Sequence, residues 1–175
     1  MEEIKGYDIP FDIKQLRHRV NLVEQDGPLL ALYYNDKGDD YLFYWVDSDD
    51  NANRWMILRV TTDTLYKYIN GEITLLQVLT NPSDNFLWIT DVDNKGNQIC
   101  TKAILCSAVP ADYLPDQDSW FVFDHQDELL KNVGTDNFEV DIPKSDKNLF
   151  ATLMSKMGWK LSSRSFRKLI DKVAL

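Results

Sequence analysis

The sequence predicts an α+β fold, in which a mostly antiparallel sheet of five to six strands has helices packed on one face and a C-terminal helical tail. Runs of aromatic and β-branched residues alternate with turns rich in Asp, Asn and Gly, which is typical of neighbouring antiparallel strands. Between and after these runs, apolar residues recur at helical spacing instead. The densest run, residues 41–61, is expected to form the two central strands.

The first hairpin follows directly from this pattern. Residues 28–35 are β-rich, a turn containing Gly38 comes next, and residues 41–47 form the second strand. Residues 54–61 are apolar almost throughout, which predicts a strand covered on both faces. Residues 12–24 fit either a short helix or an edge strand. Later strands are expected at residues 85–91, 98–108 and 120–123.

Two short helices are expected between the third and fourth strands. Thr62 can cap the first helix by accepting a backbone N–H, and Asp63 favours the positive end of the helix dipole. Tyr66 is expected on the inward face of this helix, which ends at Gly71. Residues 74–79 form the second helix, with its leucines buried.

Charge divides the chain near residue 143. Residues 1–143 have a net charge of −15, whereas residues 144–175 have +6. We therefore distinguish an α+β sheet domain, residues 1–143, from a basic C-terminal helical tail, residues 144–175. The tail is expected to pack on the sheet domain within one structural domain, where its charge compensates the acidic body. If it is presented separately, its basic residues can contact nucleic-acid phosphates instead.

Composition favours a soluble, cytoplasmic protein. Hydrophobic residues make up 44% of the chain, and no run of eighteen apolar residues predicts a membrane segment. The first residues lack the basic and then apolar pattern of a secretory signal. Cys100 and Cys106 lie in one predicted strand, roughly 20 Å apart, which excludes a disulfide between them. Two free thiols favour a reducing compartment.

Neither a cofactor nor a metal is expected. The spacing of Asp47, Asp49 and Asn51 begins like a calcium loop, but Ala52 stands where the loop needs glycine, and Leu58 stands where it needs a glutamate ligand. We therefore interpret the acidic link at 47–53 as a turn. No pattern places Cys106 beside His125, the only Cys/His set that could supply a nucleophile and its base.

Three short motifs follow one another in the central region: YWxDSD at 44–49, NRW at 53–55 and GEIxL at 71–75. Together they resemble a family of small bacterial domains of unknown function, over about residues 29–92. The resemblance implies a bacterial, cytoplasmic setting and carries over no catalytic residue. The chain from Pro110 onward lies outside it.

We expect a non-catalytic protein-interaction or regulatory module of a bacterial system, such as an immunity, antitoxin or phage-defence subunit. Its expected partner is another protein and not a membrane, and the oligomeric state stays open. The alternatives are an accessory protein that contacts nucleic acid through the basic tail, and a hydrolase that uses the acidic residues near 47–50. Arg54 is also expected to pair with an acid of the 47–53 link. The candidate interaction residues are Asp47, Asp49, Asn53, Arg54, Arg164, Arg167, Lys168 and Lys172.

Overall fold

Six antiparallel strands lie side by side in the order of the sequence in a computed structural model, which describes residues 1–24, 27–120 and 129–130. The strands are β1 (Arg17–Glu24), β2 (Pro28–Tyr34), β3 (Asp40–Ser48), β4 (Ala52–Val60), β5 (Phe86–Asp93) and β6 (Gln98–Leu105). Helices α1 (Thr62–Ile69) and α2 (Leu75–Thr80) connect β4 to β5. Short 3₁₀ turns occur at Ile13–Gln15, Cys106–Ala108 and Ala111–Tyr113.

The predicted α+β class with a mostly antiparallel sheet is confirmed. The edge strand β1 agrees with the edge-strand alternative for residues 12–24, and Trp120, the one described residue of the expected 120–123 strand, belongs to no strand. The pairing of β1 with β2 shifts register three times, which breaks the alternation that a sequence pattern needs. Strand β6 ends at Leu105, so Cys106 starts a 3₁₀ turn, and both cysteines are free. Residues 121–123, His125 and the 144–175 tail lie outside the described residues.

Strand β4 is buried on both faces, as its continuous apolar run predicts. Met56 stands beside Tyr44 of β3 on one face, which we call the helix face. Ile57 stands beside Phe43 of β3 and Trp88 of β5 on the other, which we call the aromatic face. All five side chains are buried, so the centre of the sheet is core on both sides.

Helices α1 and α2 cover the helix face. Tyr68 of α1 is fully buried near Tyr44, and burial first, then this neighbour, raises the pKa of Tyr68 well above its ordinary value. Thr74 and Gln77 form a reciprocal capping box at the start of α2. The buried helix residues are Leu65, Tyr68, Ile69, Leu75, Val78 and Leu79. The short connection thus folds into a layer over the central strands.

Helix α1 differs from the sequence-based prediction in two details. Thr61, not Thr62, is the cap, and its hydroxyl oxygen accepts the N–H of Thr64 at 3.1 Å. Tyr66, expected inward, is 37% exposed and donates its hydroxyl proton to the carbonyl of Leu130 at 2.7 Å. At the edge of the core, the apolar ring of Tyr66 can pack while its hydroxyl group reaches a polar partner.

Residues 1–13, which we call the N-terminal strap, wrap around the edge strand β6. Tyr7 exchanges two backbone hydrogen bonds with Ala103, of 2.7 and 2.9 Å. Gly6 passes so close that a Cβ atom there would lie 2.5 Å from the Ala103 carbonyl oxygen. Beyond this point Phe11 stacks on Trp88 in the aromatic face, with ring centroids 4.4 Å apart. The strap therefore covers part of an edge that would otherwise offer unpaired backbone groups.

Candidate functional site

Two turns lie side by side at one end of the sheet. The β3–β4 turn and the β5–β6 turn meet because Ala52 pairs with Asp93 across β4 and β5. The side chain of Asn94 joins them by donating to the backbone carbonyl of Asp50 at 3.0 Å. We call this surface the acidic end, and it comprises Asp47, Asp49, Asp50 and Asp93.

Two of these carboxylates also organise their own turns. One oxygen of Asp49 accepts the backbone N–H groups of Asn51 and Ala52 at 2.9 and 3.0 Å. Asp93 accepts those of Lys95 and Asn97 at 2.8 and 2.7 Å. Hydrogen bonds from these backbone N–H groups hold the pKa of both carboxyls below the ordinary value. Both therefore keep their charge at physiological pH, as the turn interpretation of the 47–53 link expects.

Asp49 and Asp93 are expected to titrate below their ordinary pKa of 3.8, and Asp40 above it. Backbone donors depress the first two values, so the stability they contribute is present above pH 3.8 and is lost as the pH falls through the folded pKa. Burial raises the pKa of Asp40, so its contribution is present below pH 3.8 and is lost as the pH rises through the folded pKa.

Carboxyl ¹³C NMR titration of the three side chains measures these values directly. Midpoints for Asp49 and Asp93 at or above 3.8 would contradict the turn geometry.

Asn53 and Arg54 are buried. Asn53 is 8% exposed, and its side-chain oxygen accepts the indole N–H of Trp45 at 3.1 Å. Arg54 is 3% exposed and lies between Asp47 on β3 and Asp91 on β5. These positions place the two side chains within the sheet, away from the exposed surface of the acidic end.

Arg54 forms a bidentate ion pair with Asp91. Its Nε and Nη2 donate to the two carboxylate oxygens at 2.7 and 2.8 Å, and its Nη1 donates to the hydroxyl of Tyr113 at 2.7 Å. Burial alone would lower the pKa of Arg54, but these hydrogen bonds hold it above its ordinary value. The expectation that Arg54 pairs with an acid of the 47–53 link is therefore wrong, because the partner comes from β5.

A groove of about 350 Å³ opens beside this ion pair. Its floor is electrically compensated because Arg54 and Asp91 neutralise each other, whereas its rim includes carboxylates of the strap and of the acidic end. Ile99 projects there with 58% of its surface exposed. The groove is lined by residues 1–4 together with Asp49, Asn51, Ala52, Arg54, Asp91, Ile99, Cys100 and Lys102.

Among the described residues, one thiol, Cys100, lines the groove, and the groove's lining includes no histidine that could serve as its base. His18 lies on β1, at the opposite edge of the sheet from β6, and its ring contacts Asn21 at 2.8 Å. Burial raises the pKa of Cys106, which favours the unreactive thiol. Within residues 1–24, 27–120 and 129–130, no group of three or more His, Cys, Asp or Glu side chains is arranged to hold a metal ion. Nor does any helix in those residues have the length and apolarity needed to span a membrane.

The candidate residues thus fall into three groups. Asp47 and Asp49 lie at the acidic end, while Asn53 and Arg54 belong to the interior. The basic candidates lie outside the described part of the chain, and these are Arg164, Arg167, Lys168 and Lys172.

Sequence reasoning missed Asp91, Asp93, Ile99 and Tyr113. A signal was present for Asp91, because it is a charged residue inside an apolar strand, between Thr90 and Val92. Such a residue is almost never buried without a partner, so it pointed to a buried ion pair. Tyr113 carried no comparable signal, since its 3₁₀ turn lies in a polar, proline-containing segment.

Comparison with known proteins gives one match. The model of a family of unknown function, DUF6575, matches residues 18–154. The match agrees with the expected resemblance to a family of unknown function, and it extends well past Pro110. No curated protein and no solved structure matches the chain.

Proposed function

Because the chain belongs to the DUF6575 family, whose function is unknown, we propose its function from its own geometry. It is a non-catalytic protein-interaction module, and its acidic end binds a basic surface of a partner protein. One observation carries this proposal: two joined turns present Asp47, Asp49, Asp50 and Asp93 together at one end of the sheet. A cytoplasmic regulatory or defence role in a bacterium, as an immunity or antitoxin-like subunit, belongs to the same proposal.

Charge supports a basic partner. The acidic end holds four carboxylates, and the positive groups beside them are Lys95 of the β5–β6 turn and the Met1 ammonium, which bonds to Asp49 at 3.2 Å. Clustered charge of one sign raises the association rate with a partner of opposite sign and disfavours partners of like sign. The backbone donors to Asp49 and Asp93 keep this charge in place at neutral pH.

The scaffold supports binding without rearrangement. Both turns leave strands whose centres are buried on two faces, and Asn94 ties one turn to the other. Rigid surfaces lose less conformational entropy on association, so more of the interaction energy is available as affinity. Neither the nucleic-acid alternative nor the hydrolase alternative is favoured by a specific contact among the described residues.

Partner capture is expected to depend on the acidic end. Asp50→Lys together with Asp93→Asn removes two negative charges and adds one positive charge, and the asparagine keeps an oxygen that accepts the turn N–H groups. Capture of the specific partner from cells of the source organism should fall about tenfold or more, since unfavourable like charges at an interface cost several kcal/mol. Quantitative mass spectrometry of the captured proteins measures this loss.

The matched control changes the same amount of charge elsewhere. Glu72→Lys together with Asp116→Asn alters two exposed positions outside the acidic end. This control should capture the partner as the native protein does. Equal capture by the native protein and the acidic-end variant would reject the proposed function.

A further inference from the structure

We propose that residues 162–173 of this chain dock on the acidic end and its groove, so that the chain's own basic segment competes with the partner. This inference rests on the proposed function and assigns a regulation to the same surface. It commits to a single occupant, which is the C-terminal segment of the same molecule.

The surface offers apolar contact as well as charge. Five of the seven large hydrophobic side chains that are exposed in the described residues belong to the strap or to β6. Ile99 is 58% exposed and lines the same groove as Asp49. Tyr7 is 61% exposed where the strap pairs with β6. An exposed apolar patch bordered by charge is typical of a protein-binding surface.

The sequence of residues 162–173 complements both properties. At helical spacing it alternates apolar residues with basic ones, and it contains one acid, Asp171. The apolar residues are Phe166, Leu169, Ile170 and Val173, and the basic residues are Arg164, Arg167, Lys168 and Lys172. In a helical arrangement the apolar residues share one face, and Arg167 and Lys172 flank it on either side, so that face can contact Ile99 while these two basic side chains reach carboxylates at the border of the groove.

Chain length permits docking within one molecule. Thirty-one residues separate Leu130 from position 162. An extended chain of that length reaches roughly 100 Å, which is more than the span of a domain of this size. Covalent tethering within one chain converts docking into an intramolecular event with a high effective concentration, so even weak complementarity suffices for occupancy. A free partner segment at micromolar concentration has no such advantage.

Zero-length carbodiimide cross-linking of the full chain tests this inference, because it joins a carboxylate to a lysine only when they touch. In the monomer fraction we expect links from Lys168 or Lys172 to Asp49, Asp50 or Asp93. These links should decrease at least several-fold with Ile99→Arg, which adds no amine that carbodiimide can couple and leaves every linkable carboxylate in place. The Glu72→Lys and Asp116→Asn control should not change them.

A charge swap keeps the test independent of any single variant. In Asp50→Lys combined with Arg167→Glu and Lys168→Glu, the docked pair has reversed charges, and links between positions 50 and 167 or 168 are expected. Mixing isotope-labelled and unlabelled chains identifies links between molecules. Links found only between molecules, or spread evenly over carboxylates elsewhere, or absent from the monomer, would each overturn docking in cis.

The outcomes separate this inference from the proposed function. Arg167→Glu with Lys168→Glu should raise partner capture several-fold, because the competing segment is repelled. Absent cross-links with capture that still depends on the acidic end would remove the inference and leave the function. If cross-links to the acidic end form but partner capture is unaffected by the acidic-end variant, the proposed function is rejected and docking of the segment is retained.

Discussion

Asp91→Ala is expected to lower the free energy of unfolding by about 3–5 kcal/mol, because it leaves a buried guanidinium without its carboxylate. Arg54 is 3% exposed, and two of its three donating nitrogens bond to Asp91. Tyr113 satisfies only the remaining one. Urea unfolding followed by tryptophan fluorescence measures the change as a lower midpoint.

Two further variants show whether the loss comes from the unpaired charge. Asp63→Ala breaks the exposed pair with Lys67 and removes a first-turn acid from α1, and it should lower stability far less than Asp91→Ala does. Arg54→Met combined with Asp91→Leu removes both charges, and it should recover most of the stability lost by Asp91→Ala alone. A loss below about 1 kcal/mol for Asp91→Ala would show that solvent or another group compensates Arg54.

Leu58→Ala is expected to cost about 2–5 kcal/mol, because the side chain is fully buried at the centre of β4 and its removal leaves a cavity. Leu58 pairs with Leu42 of β3 on the helix face, so its environment includes the interface between sheet and helices. Thermal and urea unfolding should both show the loss.

Leu105→Ala provides the matched control, since it deletes the same atoms from a side chain that is 46% exposed at the edge of the sheet. Its effect should stay within about 0.5 kcal/mol. Similar losses for the two variants would mean that the central strand packs less tightly than the structure indicates.

The central hairpins could be predicted because their signals are local. Residues 28–61 combine apolar runs with an Asp-Gly-rich turn, and the observed β2, β3 and β4 differ from the predicted strands by only one or two residues at each end. Strand β1 could not be assigned because its register shifts break the two-residue period of a strand. Where the backbone interrupts the two-residue alternation of a strand, the alternation of buried and exposed side chains cannot be recognised in the sequence.

The residues of the candidate site also differ in whether local sequence signals could identify them. Asp47 and Asp49 were identified because turn chemistry depends on adjacent residues. The partner of Arg54 was not, because Asp91 lies 37 residues later in the chain and becomes a neighbour only when β4 and β5 pair. The acidic end itself arises from two separate turns, so its charge density is a property of the strand order.

The N-terminal strap has a consequence for biosynthesis. Residues 1–13 are made before the last strand that holds them: Tyr7 pairs with Ala103 of β6, and the hydrogen bond from Gln98 to Phe11 spans 87 residues. At translation rates of about 5–20 residues per second, that interval lasts roughly 4–17 s. During this time the backbone of Tyr7 lacks its partner strand, and Phe11 can contact Tyr41 of β3 before its stacking partner Trp88 of β5 is made. The native contacts of the strap are therefore completed only after β6 has been synthesised.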